Sequence, residues 1–282
     1  MAAVLPFSSF MKPLLFLSFL ILPLVAHPDP KHTLEHLEEH LKETPDNPQL
    51  LAQKVELLMD TEHLDLARPV CDRLLQVAPG KREFLLLEAQ VTLEERDTAS
   101  ALTKTRAVTA TNPDFAAGWK FLSRVEEESG NREAAIAALL HSLSVNSKPA
   151  PSDVLTCAAW LRERAKPGDI ETAISEIDKG LAKLGVLSGL HYQAIELELP
   201  LGHYDSSLRR IDALTARFRP SADLSMRRAE ILEKAGRFPE AAAACDSALA
   251  LMDTLPASRK KAEAFQKRFA EIELRKQANL DK

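Results

Sequence analysis

Three prolines divide the first half of the chain at one interval. Pro45, Pro79 and Pro113 lie 34 residues apart, and a further step of the same length reaches Ser147, just before Pro149. Gly202 and Gly236 keep the same spacing of 34. Inside each period, small residues recur 12 apart, as Ala89/Ala101, Ser123/Ala135 and Ala229/Ala241. A fixed period of this length marks a solenoid, in which each unit buries its apolar face only against its neighbours. The small pairs suit two antiparallel helices whose backbones pack closely.

The clearest copy of the unit is Ala116–Ser147. Trp119, Leu122, Val125 and Glu126 follow helical spacing, and Gly130-Asn131 stops the first helix because both residues tolerate left-handed backbone. Ala134 to Leu143 forms the second apolar run. Ala and Leu dominate, Gly is scarce, and there are no alternating β-branched runs, so helix is expected and sheet is not. Hairpins are expected over 48–77, 81–110, 114–145, 152–184, 188–218 and 221–252, after a short helix at 32–43 and before a final one at 257–278. Ser152 and the Asp97-Thr98 pair are the expected caps. The fourth unit is longer than the others.

Here the residues reach a family. Trp119-x-x-Leu122-Ser123 resembles the W-x-x-L-G opening of the tetratricopeptide repeat, with Ser for Gly. Glu126 stands where that family has Tyr, and Ala135 with Leu139 replaces Ala-x-x-x-Phe. Gly202-His203-Tyr204-Asp205 and Gly236-Arg237-Phe238-Pro239-Glu240 look like its inter-helix turn. The resemblance runs from Pro48 to Pro256. It implies an all-α, right-handed superhelical solenoid of about six hairpins with N- and C-terminal capping helices. It also implies non-catalytic binding of a protein or peptide in a concave groove lined by the first helix of each pair. The repeat frame places Gln49, Glu56, Met59 and Asp60 there, then Glu83, Leu86, Gln90 and Leu93. Lys120, Arg124, Glu127 and Glu128 follow, then Tyr192, Glu196, Met226 and Glu230. Leu86, Leu93, Tyr192 and Met226 are expected to meet apolar side chains, and Lys120 with Arg124 to hold a carboxylate. The family's Asn residues for clamping a C-terminal carboxylate have no counterpart.

The N-terminus has a different character. Lys12 precedes the apolar run Leu14–Val25, and Ala26-His27-Pro28 follows. That order reads as a secretory signal cleaved after Ala26, with Met11 a more natural start than Met1. The run is too short to span a bilayer and contains Pro23, so no membrane span is expected after cleavage. The resulting division is signal peptide 1–26, leader and cap 27–47, repeat array 48–256 and C-terminal cap 257–282. The mature protein is expected outside the cytoplasm, secreted or periplasmic.

His32, His36 and His40 share one side of the first helix, a spacing that suits Zn²⁺ or Cu²⁺, and metal delivery is the alternative function. Cys71, Cys157 and Cys245 are scattered over different units and read as core residues. A net charge of −5 argues against nucleic acid as the main partner. The final helix is basic, with Arg259, Lys260, Lys261, Lys267, Arg268, Arg275 and Lys276. Its stripe, Ala262, Phe265, Phe269 and Ile272, is expected to cover the last repeat. The acidic runs Glu126-Glu127-Glu128 and Glu35, Glu38, Glu39 are placed on solvent faces. No phosphate loop, nucleophile elbow or His-Glu-x-x-His occurs, so neither catalysis nor a cofactor is expected.

Overall fold

The computed structural model describes residues 30–282, so the signal sequence and cleavage site expected over residues 1–26 lie outside the described residues. Fifteen α-helices and no strand are present among them. A leading helix α1 (Pro30–Glu43) precedes six hairpins: α2 (Pro48–Asp60) with α3 (Leu64–Val77), α4 (Arg82–Glu94) with α5 (Thr98–Thr111), and α6 (Ala116–Glu128) with α7 (Arg132–Val145). Then come α8 (Pro151–Arg164) with α9 (Asp169–Leu184), α10 (Ser188–Glu198) with α11 (Tyr204–Arg217), and α12 (Ala222–Lys234) with α13 (Phe238–Asp253). Two further helices, α14 (Ala257–Lys260) and α15 (Glu263–Leu280), close the array. No described helix is long and apolar enough to cross a membrane.

Local chemistry sets the starts. The Asn47 carboxamide accepts from the amides of Gln49 and Leu50 at 3.0 and 3.2 Å, ahead of Pro48 in the first helical position. Asp97 caps α5 through the Ser100 amide at 3.0 Å. The expected cap at Ser152 is not formed. Helix α8 begins one residue earlier at Pro151, whose fixed φ suits the first turn, and Ala150 is the capping residue.

A left-handed residue ends the first helix of most hairpins. It is Glu62, Arg96 and Gly130 in the first three, again 34 apart, then Gly202 and Gly236 in the last two. Gly130 and Gly202 are 72 residues apart, four more than two periods, and the surplus falls in the fourth unit. That unit turns through Ala165 and Gly168 instead. The slack also shows in the short 3₁₀ turn Leu199–Leu201 that follows α10.

The core is a chain of clusters. Leu51, Val55, Leu58, Ala67, Cys71 and Leu74 pack against Phe84, Leu87 and Val91 of α4. The other face of α4 (Leu86, Ala89, Leu93) packs with Ala101, Phe121 and Val125. Ile136, Cys157, Leu161 and Ile177 centre the third cluster, and Ile195, Ile211, Ile231 and Cys245 the fourth. The small pairs Ala89/Ala101, Ser123/Ala135 and Ala229/Ala241 are all buried. All three cysteines are buried free thiols, and burial pushes Cys71 up to about 11 and Cys157 to about 12.

The final helix departs from expectation. The chain breaks at Lys261-Ala262, where Ala262 is extended (φ −67°, ψ 133°) and exposed, so Ala262 is not on the stripe. The break lets α15 lie against α13, with Phe265, Phe269 and Ile272 on the fourth cluster. Arg275 grips Glu233 at 2.8 and 2.6 Å, Lys276 reaches Asp246 at 2.6 Å, and Arg268 pairs with Asp223.

Arg96 carries a Cβ in left-handed backbone, which costs roughly 1–2 kcal/mol, whereas glycine loses about 0.5–1 kcal/mol in chain entropy. Arg96→Gly is therefore expected to stabilise the array by about 0.5–1 kcal/mol, and Gly130→Ala to destabilise it by a similar amount. The urea midpoint of each variant at unchanged slope checks this, and an Arg96→Gly midpoint at or below the parent's contradicts it.

Candidate docking surface

The side chains assigned to the inner face fall into three groups. Leu86 and Leu93 are core residues, 6% and 4% exposed, and contact no solvent groove. The repeat frame gives their register but not their depth: Phe121 and Val125 of the next first helix pack over them. Gln49, Glu56, Asp60, Glu83 and Glu128 are exposed, whereas Met59 and Gln90 are half-buried, with Met59 packed on the first cluster. Tyr192 is exposed, and Glu196 receives an ion pair from Arg227.

The third group lines cavities. Lys120, Ser123, Arg124, Glu127 and Glu128 of α6 face Asp153, Thr156 and Trp160 of α8 across a cavity of about 290 Å³, with Leu139 at its apolar side. Lys120 Nζ sits 2.9 Å from Asp153, while Arg124 reaches Glu94 of α4 at 3.1 Å and Glu128 at 2.9 Å. Both cations thus join neighbouring first helices rather than standing open for a carboxylate. Arg132 stacks over Trp160, 4.9 Å from the ring centre, and pairs with Glu127 at 2.6 Å and Glu163 at 3.2 Å. A second cavity, about 490 Å³, lies between α12 and α15, lined by Met226, Glu230, Lys267, Arg268, Glu271 and Arg275 among others. The structure therefore brings Lys120, Arg124 and Glu127 into one site and Met226 with Glu230 into another.

Exposed pairs of this kind contribute about 0.2–1 kcal/mol each, so a partner can displace them at small cost. Their regularity matters more than their strength. Pairs such as Arg124–Glu94, Arg132–Glu163, Arg227–Glu196 and Arg237–Asp205 join residues 30 to 32 apart, close to one period.

Glu126 breaks the solvent-face reading, and Glu198 repeats its buried arrangement. Glu126 is 2% exposed and accepts from Arg106 Nε and Nη2 at 3.0 and 2.6 Å and from Asn131 Nδ2 at 3.1 Å. Glu198 is 1% exposed and accepts from Arg210 Nε and Nη2 at 2.9 and 2.8 Å and from the hydroxyls of Ser206 and Ser207 at 2.7 and 3.1 Å. Arg210 also donates to Asp178 at 2.8 Å. Each glutamate stands four residues before its turn glycine, Gly130 or Gly202, where other hairpins carry Leu58, Thr92 or Leu232. The signal was an acid at a core register. Beside Glu198, His191 Nδ1 is buried without a partner, and burial first, then the Arg210 charge, holds the imidazole below its ordinary value of 6.5.

His36 and His40 are exposed on α1, with rings edge-on at 4.5 Å. The His32 side chain lies outside the described set. Among the described residues no three His, Cys, Asp or Glu side chains are grouped to hold a metal ion.

An α-helical solenoid of stacked hairpins with inter-hairpin grooves is the class this geometry defines. Residues 192–258 match the tetratricopeptide repeat family. No curated protein sequence matches it. Among solved structures, the C-terminal part of a tetratricopeptide repeat-containing protein from Cytophaga hutchinsonii is similar at 12% identity. That likeness has a TM-score of 0.55 and covers 81% of this chain and 92% of that one. A tetratricopeptide repeat protein from Parabacteroides merdae is 16% identical over 88% of this chain and 93% of that one, at TM-score 0.43. PilF of Pseudomonas aeruginosa is 14% identical over 79% and 97%, at TM-score 0.47. At 12% identity and a TM-score of 0.55, the likeness to the Cytophaga hutchinsonii protein shows the fold.

Breaking a buried ion pair from one side costs about 3–5 kcal/mol, so Glu198→Ala is expected to destabilise by roughly 3 kcal/mol, and Glu198→Leu/Arg210→Met by much less. Chemical unfolding of both variants checks the difference. The depressed His191 value has a definite sign. Above 6.5 the imidazole is neutral folded or unfolded; below it the unfolded chain takes up the proton more readily, so stability falls as pH drops through that value. His191→Phe is expected to flatten this dependence between neutral and mildly acid pH, and an unchanged slope contradicts it.

Proposed function

We propose that the protein is a non-catalytic docking scaffold that binds a protein or peptide along the faces of its first helices, acting outside the cytoplasm. The tetratricopeptide fold generally serves protein–protein interaction. The observation that carries the reading is the α6–α8 cavity. Two consecutive hairpins contribute to it, with Trp160 and Leu139 as apolar surface and Lys120, Arg124, Glu127, Glu128 and Asp153 as a charged rim. An aromatic anchor site with a polar rim is how a shallow protein groove holds a side chain of its partner. The rim charges are paired with each other, so a charged partner exchanges one ion pair for another instead of desolvating a bare charge. Export rests on the sequence of residues 12–26 alone.

The chain has two tryptophans, Trp119 and Trp160. Trp119 holds the Pro113 carbonyl at 3.0 Å and lies against His141, away from the cavity. In a Trp119→Phe background, fluorescence therefore reports on Trp160. Affinity capture from envelope extracts with the mature chain, compared with Trp160→Ala and with Lys120→Glu/Arg124→Glu, tests the reading. The expected result is a partner retained by the parent, weakened at least about tenfold by either variant, and shifting Trp160 emission when added back purified. Partners held equally by folded variants contradict a site in this groove. N-terminal sequencing of the exported protein tests cleavage after Ala26.

A further inference from the structure

The connections between hairpins carry charge that the groove does not use. Successive hairpins are parallel copies, so the links from each second helix to the next first helix gather on one edge of the array. On that edge the α11–α12 link is Arg217-Phe218-Arg219-Pro220, and the link after α13 carries Arg259, Lys260 and Lys261. Pro220 and Leu251, in the last turn of α13, line one cavity of about 360 Å³, so the α11–α12 link neighbours the end of α13 from which the second link departs. Phe218 is 44% exposed, with the Arg217 guanidinium 5.6 Å from its ring centre. Arg217, Arg219, Arg259 and Lys261 are also exposed. Of the acids on these links, Asp253 is taken by Lys260 at 3.0 Å and Asp223 by Arg268, while Glu263 stands behind Lys261 at the start of α15.

We propose that this edge docks on an anionic lipid surface. A projecting aromatic side chain among exposed cations on a loop edge fits a planar partner. The ring enters the interfacial layer while guanidinium and ammonium groups reach headgroup phosphates. The cavity beside Pro220 offers an acidic peptide no free cation, because its one charged lining residue, Arg228, is paired with Asp212. The proposal is independent of the groove, which uses α6 and α8 and shares no residue with this edge.

Flotation of the mature chain with phosphatidylglycerol–phosphatidylcholine vesicles, against phosphatidylcholine alone, tests it at low and high salt. The expected result is binding to the anionic vesicles only, weakened by salt. Arg217→Glu/Arg219→Glu/Lys261→Glu lowers the partition about tenfold or more, and Phe218→Ser lowers it about tenfold without changing the salt dependence. These positions are exposed, so circular dichroism and the urea midpoint of the variants should match the parent. Absence of binding to anionic vesicles, equal binding to neutral ones, or unchanged binding by the folded charge variant overturns the proposal. Binding of polyglutamate with none to vesicles assigns the patch to an acidic protein and overturns it as well.

Discussion

No hairpin in this chain can bury its own apolar surface, and the rest of the architecture follows from that. Two helices of 11 to 16 residues leave one flank of each uncovered, and only the next hairpin closes it. Helix α4 shows the result. Its Phe84, Leu87 and Val91 belong to the cluster before it, and its Leu86, Ala89 and Leu93 to the cluster after it. Within a hairpin the close approach is made by small residues, so Ala89 against Ala101 and Ala229 against Ala241 are sealed at no exposure. Burial of apolar area, at about 25 cal/mol per Å², is thus distributed along the array instead of concentrated at one centre. The grooves are what remains between first helices once the backbones have packed.

Charge then fixes the register that burial leaves loose. Ion pairs between residues 30 to 32 apart link hairpin to hairpin. Next to the longer fourth unit sits the buried set of Glu198, Arg210 and His191, with Arg210 also reaching the exposed Asp178. A buried acid there is a weak source of stability but a strict condition on geometry, since every oxygen has its donor only when α9, α10 and α11 are in place.

Much of this was legible in the residues. The period appeared in prolines and turn glycines, and the hairpins expected over 48–77, 81–110 and 152–184 match the helix pairs formed to within one residue. Glu62 and Arg96 hid their turns, because neither residue advertises left-handed backbone. The break at Ala262 was hidden for the opposite reason: Lys261-Ala262 is sound helix sequence, and only packing of Phe265 and Phe269 on the fourth cluster interrupts it. Among the residues expected on the inner face, spacing could not separate Lys120, at the rim of a cavity, from Leu86, under Phe121. That distinction depends on the thickness of the following unit, which no single stretch encodes.

Native-state hydrogen exchange on the protein tests the nearest-neighbour account most directly. Stability that arises between hairpins predicts protection highest in the middle helices, α5 to α9, falling toward α1 and α15, with amides opening in hairpin-sized groups of distinct free energy. Slow amides throughout the chain exchanging together at one opening free energy, with no gradient toward the ends, would contradict it.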